Sequence, residues 1–356
     1  MKPTQLSRAL AICMLANVPV MVRGRSGGGK TQIGHGVAKA MGRTLYHKCI
    51  PQMDELESRG LPEIMEGRTH QALPSWLPTT PGNIIFFDEF TKGRPSVANT
   101  WAEPICEGTI GGADLYTVPP ETGFILTGNM KGERAGDYEL HTHMKNRMAH
   151  LHYEVDVDDW ARGAFNNFST PVDISSISYI PSTSTSTSMD ETLIAFFRHR
   201  PTLLHQAPSL STGEDAFCTP RSISYLNRLL PYITEQAPDL EIDLISGMIG
   251  SGTALEYIGF RRLIDTMFDP NLCFTYPDSA PIPTNPSIMY ALLVALAARV
   301  TKATASPFFR YLARLSQDMA SMCVVDALAR NPLLMTQCPE GVAWASKNAR
   351  LLIQLS

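Results

Sequence analysis

The sequence predicts an α/β fold: a central parallel sheet flanked by helices, followed by all-helical segments toward the C-terminus. Three observations carry this. The β-branched run Val18–Val22 passes through a glycine-rich turn into a helical stretch, Thr31–Met41, that stops at Gly42. The apolar run Ile84–Phe87, preceded by Pro81-Gly82, ends in two carboxylates, Asp88 and Glu89. A third run, Thr122–Gly128, ends in the amide of Asn129. Continuous apolar runs mark strands covered on both faces, and a polar group at the end of one lies at the carboxyl edge of the sheet, where ligands bind.

Composition sets the frame for these elements. A chain of 356 residues allows about two domains of ~150 residues and a sizeable core. Hydrophobic residues make up 44% and charged residues 18%, the latter below the usual ~25%, which excludes a disordered tail protein, a coiled coil and a collagen-like chain. Thirty Lys and Arg against 34 Asp and Glu leave a net charge of −4, so the balance predicts no large basic nucleic-acid surface. Cys13, Cys49, Cys106, Cys218, Cys273, Cys323 and Cys338 are odd in number and nowhere in C-x-x-C spacing, a pattern of reduced thiols in cytoplasm.

The N-terminus invites an export reading, because Lys2 and Arg8 precede an apolar run from Ala9 to Val22. That run contains Asn17 and Pro19, is shorter than the ~20 residues that span a bilayer, and leads directly into the glycine-rich turn. The Ala-rich run Ile288–Val300 is also too short, so a soluble, cytoplasmic protein is expected.

The turn itself reads Gly24-Arg25-Ser26-Gly27-Gly28-Gly29-Lys30-Thr31 and satisfies G-x-x-x-x-G-K-[ST]. In such a loop Gly24, Gly27, Gly28 and Gly29 let the backbone curl so that N–H groups and a helix N-terminus face a phosphate. Lys30 then reaches the β- and γ-phosphates of a nucleotide, and Thr31 offers its hydroxyl to Mg²⁺. The plain alternative is a flexible linker, but linkers rarely set Lys-Thr at the first turn of a helix beside a buried strand. Asp88 would hold Mg²⁺, usually through water, and Glu89 would activate the attacking water. Asn129 falls between the carboxylates and the γ-phosphate; taken alone it would be a turn residue.

These segments, together with Met144-Lys145-Asn146-Arg147-Met148 and TPRSISYLNRLL from Thr219, resemble the ordered landmarks of an AAA+ ATPase. They correspond to Walker A, Walker B, sensor 1, the arginine finger and sensor 2. The spacing resembles the MoxR branch, which carries a helix-2 β-hairpin where this chain has Gly60–Ile64 and Leu73–Leu77. Glu107 to Val118 is similar to the hairpin before sensor 1, with Gly111-Gly112 as its turn. The likeness covers most of the chain, and its motifs are dense up to about residue 225.

The resemblance implies ATP and Mg²⁺ as cofactors, ATP hydrolysis, and a ring homo-oligomer, by analogy a hexamer. It gives Arg147, 18 residues beyond Asn129, the role of a finger completing the neighbouring subunit's site. Arg221, after Thr219-Pro220 at a helix start, takes the role of sensor 2. Lys131 and Arg134 also follow sensor 1 and could act in cis or in trans. Met130 departs from the pattern, since many relatives have proline there. The family commonly works with a von Willebrand factor A domain protein.

Expected organisation is an ATPase core over 1–165, a Ser/Thr-rich linker over 166–189, a helical lid over 190–260 and a helical extension over 261–356. Residues 261–282 read as a connector, and the helices after Pro286 are expected to break near Ser306-Pro307 and Asn331-Pro332. His141 and His143 lack Cys or carboxylate at ligand spacing and read as loop residues. Trp76, Trp101 and Trp160 read as core or interface residues rather than stacking platforms for bases.

Three functions compete. A MoxR-like ATPase would remodel a client protein. A nucleic-acid motor or loader would need a basic track, which the acidic balance and the absence of a basic run disfavour. A monomeric P-loop kinase would have no use for Arg147.

Overall fold

The computed structural model describes residues 1–111, 115–130, 136–166, 168, 171–180, 189–207 and 213–348. The chain opens with α1 (Pro3–Leu15), β1 (Val20–Gly24), α2 (Lys30–Ala40) and β2 (Leu45–Cys49). Next come α3 (Glu55–Arg59), β3 (Leu61–Met65), β4 (Arg68–Ala72) and β5 (Ile84–Asp88). Then follow α4 (Pro95–Thr100), α5 (Ala102–Glu107), β6 (Thr109–Ile110), β7 (Tyr116–Thr117) and β8 (Gly123–Gly128). This part ends with α6 (Thr142–Lys145), β9 (Ala149–Tyr153) and α7 (Val157–Phe165). The remainder is helical: α8 (Glu191–His199), α9 (Pro220–Gln236), α10 (Glu241–Ile249), α11 (Ser251–Ile264), α12 (Leu272–Thr275), α13 (Pro286–Arg299), α14 (Ala305–Leu312), α15 (Gln317–Arg330) and α16 (Pro339–Lys347).

Five strands form one parallel sheet in the order β2-β5-β8-β1-β9. β1 and β8 are buried along their whole length, as their largely apolar runs require. Alternation along β5 turns Ile85 and Phe87 to one face, where they join Met21, Leu126, Phe90, Val97, Trp101 and Met144 in a core. Phe86 faces the other way, against α2, which comes so near that a Cβ on Gly34 would lie 2.3 Å from the Phe86 ring. The N-terminal apolar run resolves into a buried helix, α1, and the strand β1. Among the described residues no helix is long and apolar enough to cross a membrane.

β3 and β4 pair as an antiparallel hairpin where the helix-2 insert is expected, and β6 and β7 pair as a shorter one. Gly111 adopts a positive φ of 62° in the shorter hairpin, whereas its expected turn partner Gly112 lies outside the described residues. Lys131, Arg134, the 181–188 part of the Ser/Thr-rich stretch and the chain end at Leu355 also lie outside them.

The chain forms two compact units, one of Met1–Thr187 with His205–Leu255, the other of Ser188–Leu204 with Glu256–Ser356. The first holds the sheet together with α9 and α10, so the units cut across the stretch 190–260. The second builds its own core from Leu292, Leu293, Leu296, Phe308, Leu312 and Val324. One local expectation differs here: the connector over 261–282 contains the end of α11 and the short α12. The break expected near Ser306-Pro307 falls just before them, between Arg299 at the end of α13 and Ala305 at the start of α14. Pro307 lies in the first turn of α14, where its missing N–H would have no intrahelical partner anyway.

Candidate functional site

The order of the sheet places β8 between β5 and β1, so the carboxyl ends bearing Asp88, Asn129 and Gly24 converge on one edge. There Asp88 and Asn129 line a cavity of about 310 Å³. Gly27, Gly28, Gly29, Lys30, Thr31, Asp88, Glu89 and Asn129 all contribute to its wall, joined by Thr91, Lys92, Thr127 and Asp137.

The glycine-rich loop owes its curl to backbone angles that other residues rarely adopt. Gly27 and Gly29 have φ of 74° and 87°, and Gly29 is the residue from which α2 starts, with no side chain capping that start. Lys30 folds over the loop, its ammonium donating to the carbonyls of Gly24 (2.7 Å) and Arg25 (2.9 Å). Gly24 therefore acts through its carbonyl and not as a wall residue. From the far side the Tyr153 hydroxyl donates to the Gly28 carbonyl at 2.5 Å.

Asp88 is the electrostatic centre of the cavity. Thr31 Oγ1 donates to its Oδ2 at 2.7 Å, and Thr127 Oγ1 donates to its Oδ1 at 2.5 Å. The Glu89 N–H is 3.0 Å from both Asp88 Oδ1 and Thr127 Oγ1. Burial alone would raise the Asp88 pKa, but the bonds from Thr127, Thr31 and the Glu89 N–H outweigh it and hold the carboxyl below its usual range. His47 Nε2 lies 3.5 Å from Asp88 Oδ2. The next residue, Glu89, has a left-handed backbone (φ 51°), and its carboxylate pairs with Lys92 at 2.8 Å.

Asn129 is 5% exposed, and its side-chain Nδ2 is buried without a hydrogen-bond partner among the described residues. A buried amide donor left unpaired on a cavity wall suits an incoming acceptor such as a phosphate oxygen or a water. Thr31 and Asp88 together offer the hard oxygen donors that Mg²⁺ takes from a protein when phosphates supply other ligands.

Arg147 and Arg221 are not on this wall. Both lie near the Cys106 thiol and the Tyr225 phenol; burial raises both of those pKa values, and the two guanidinium groups oppose the rise. Arg147 Nε is buried without a hydrogen-bond partner among the described residues. Arg221 follows Pro220 in the first turn of α9, whose N-cap is Thr219: its hydroxyl accepts from the Ser222 N–H at 3.2 Å. Of the tryptophans, Trp101 is core, Trp76 packs on it, and Trp160 is exposed. His141 and His143 stack at 5.6 Å.

Sequence reasoning gave no role to Thr127, Lys92, Asp137 or Arg23. Thr127 was visible as a hydroxyl near the end of a buried apolar run, and Lys92 as a cation three residues from Glu89. Asp137 reaches the wall through Thr91, which donates to it at 2.8 Å. Arg23, at the end of β1, is 3% exposed; its Nη1 donates to the Asn129 carbonyl at 3.1 Å and its Nε to Asp215 at 2.7 Å. A charge inside an otherwise apolar strand was the available signal.

Fold and loop together define an α/β protein with a G-x-x-x-x-G-K-T loop at a strand–helix junction, opening on the carboxyl edge of a parallel sheet. No family model matches the chain, and no curated protein matches it. Among solved structures it is similar to a "putative ATPase" from Cytophaga hutchinsonii, with 17% identity and a TM-score of 0.47, over 73% of this chain and 87% of that one.

Proposed function

We propose that the chain is a Mg²⁺-dependent ATPase of AAA+ type, built like the MoxR branch, that hydrolyses ATP in a ring oligomer to remodel a client protein. The observation that carries this reading is the convergence, in one cavity, of the glycine-rich loop, the Thr31–Asp88 pair and the unpaired Asn129 amide. In this reading Lys30 and the loop N–H groups hold the phosphates. Thr31 and Asp88 would hold Mg²⁺, which when bound would neutralise charge on the β- and γ-oxygens. Glu89 accepts the proton of the attacking water, and Lys92 holds its carboxylate until then. Asn129 orients that water or the γ-phosphate.

Arg147 lies off the wall of its own chain's cavity, which suits a finger acting on a neighbouring subunit, and Arg221 on α9 would report on nucleotide as the lid residue. The proposed organisation is a core over 1–165, a linker over 166–189, a lid over 190–260 and an extension over 261–356. A hexamer, a von Willebrand factor A domain partner and a cytoplasmic location complete the proposal, and rest on the motif resemblance. The mild acidity argues against a nucleic-acid track.

Binding and turnover of ATP in two variants test this. Lys30→Ala loses ATP binding, whereas Glu89→Gln keeps it and hydrolyses at least ~10²-fold more slowly. Unaltered affinity in the first, or wild-type turnover in the second, sinks the assignment. Turnover that rises with added DNA and ignores added protein would favour the motor instead.

A further inference from the structure

Arg23, Lys145 and Asp215 are 3%, 6% and 2% exposed, and they meet as one buried group. Arg23 Nε binds Asp215 Oδ2 at 2.7 Å, and Lys145 Nζ lies 3.3 Å from Asp215 Oδ1. Lys145 also reaches Glu139, a 70% exposed carboxylate, at 2.6 Å. Beside the group, His150 Nε2 donates to the Lys145 carbonyl at 2.6 Å.

Stability gives no good account of such a group. Taking two cations and an anion out of water costs more than packing apolar side chains of the same volume, and their mutual attraction returns only part of it. What distinguishes these three residues is where their chain neighbours lie. Arg23 immediately precedes Gly24 of the loop, and its free guanidinium arm fixes the carbonyl of Asn129. Lys145 ends α6, two residues before Arg147. Asp215 lies on the approach to α9 and Arg221. Three segments distant in sequence, each leading toward a proposed site residue, thus meet at a single anion.

We propose that Arg23, Asp215 and Lys145 form a buried charge bridge that positions Arg147 relative to Asn129. They touch no substrate and are positioning residues. The bridge sets the distance between the end of the sensor strand, which serves the chain's own cavity, and the arginine, which serves the neighbour's. A change at Asn129 is thereby passed through the Asn129 carbonyl, Arg23, Asp215 and Lys145 to the backbone that carries Arg147. The inference rests on the roles given above to Asn129 and Arg147.

Lys145→Met is the clean test, since it leaves Arg23 and Asp215 paired with one another. Nucleotide affinity, KM and kcat are measured for wild type, Lys145→Met, Lys145→Arg, Asp215→Asn and Arg147→Ala. The bridge predicts that Lys145→Met keeps nucleotide affinity and Tm but loses kcat by about 10²-fold, the scale of a small misplacement of a reacting group. Lys145→Arg restores kcat at least in part. Lys145→Met added to Asp215→Asn lowers kcat no further than Asp215→Asn alone, because that change already cuts the link to Lys145. Wild-type kcat in Lys145→Met overturns the bridge, as does a joint fall of affinity, kcat and Tm, which is what a merely structural role produces. Failure of the underlying reading looks different: a wild type without turnover, or an Arg147→Ala variant as fast as wild type, removes the proposed function and the bridge with it.

Discussion

Three donors converge on the Asp88 carboxylate, from Thr31, Thr127 and the Glu89 N–H, and together they outweigh the burial that would raise its pKa. A hydrogen bond to an ionised group contributes about 1.5–3 kcal/mol, so Thr127→Val is expected to destabilise the protein by roughly that amount. Denaturant unfolding checks the figure. The same change moves the Asp88 pKa upward. In the wild type a depressed carboxyl pKa contributes stability that is complete above the unfolded value of 3.8 and lost as pH falls through the lower folded value. Thr127→Val shifts that loss to higher pH. Asp88, Glu89 and Asn129 were legible in the sequence because each ends an apolar run. The role of Thr127 was not, because it depends on the register of β5 against β8, which pairs Phe87 with Leu126. Register is a property of two strands, and neither segment states it alone.

At the scale of elements, local chemistry was readable where a few neighbouring residues suffice. The cap on α9 is such a case: Thr219 as N-cap and Pro220 at the first helical position appear in the structure with Ser222 closing a capping box. Thr219→Ala is expected to cost about 1 kcal/mol, with Thr219→Ser near wild type, in thermal or denaturant unfolding. Pro307 shows the same chemistry, since it lies in the first turn of α14, just after the break that follows α13. β9 offers a second prediction. Burial pushes the His150 pKa down from 6.5 to about 4, so the folded protein keeps it neutral where the unfolded chain would protonate it. Stability is therefore complete above pH 6.5 and falls as pH drops from 6.5 toward 4, by up to ~1.4 kcal/mol per pH unit. His150→Gln, which can still donate to the Lys145 carbonyl, removes this limb from a series of melts taken across that range.

For the whole molecule, the apolar runs announced a parallel sheet, whereas the order of its strands came from long-range pairing that no local pattern encodes. The same holds for α9 and α10, which group with the sheet although they follow it by many residues. A charged fraction of 18% fits a protomer that buries flanks against neighbours, as the ring proposal requires. If subunits share sites, Glu89→Gln with ATP is expected to run as a larger species than Lys30→Ala in size-exclusion chromatography. A shared site also makes two defective chains complementary. Arg147→Ala retains its own catalytic carboxylate, and Glu89→Gln retains its own arginine. The decisive measurement is the ATPase rate of these two variants, each alone and then mixed. Each alone is expected to be slower than wild type, by about 10³-fold for the arginine and ~10²-fold for the glutamate, and the mixture to recover a substantial part of the rate. A full rate from Arg147→Ala alone, or a mixture no faster than its parts, contradicts the account.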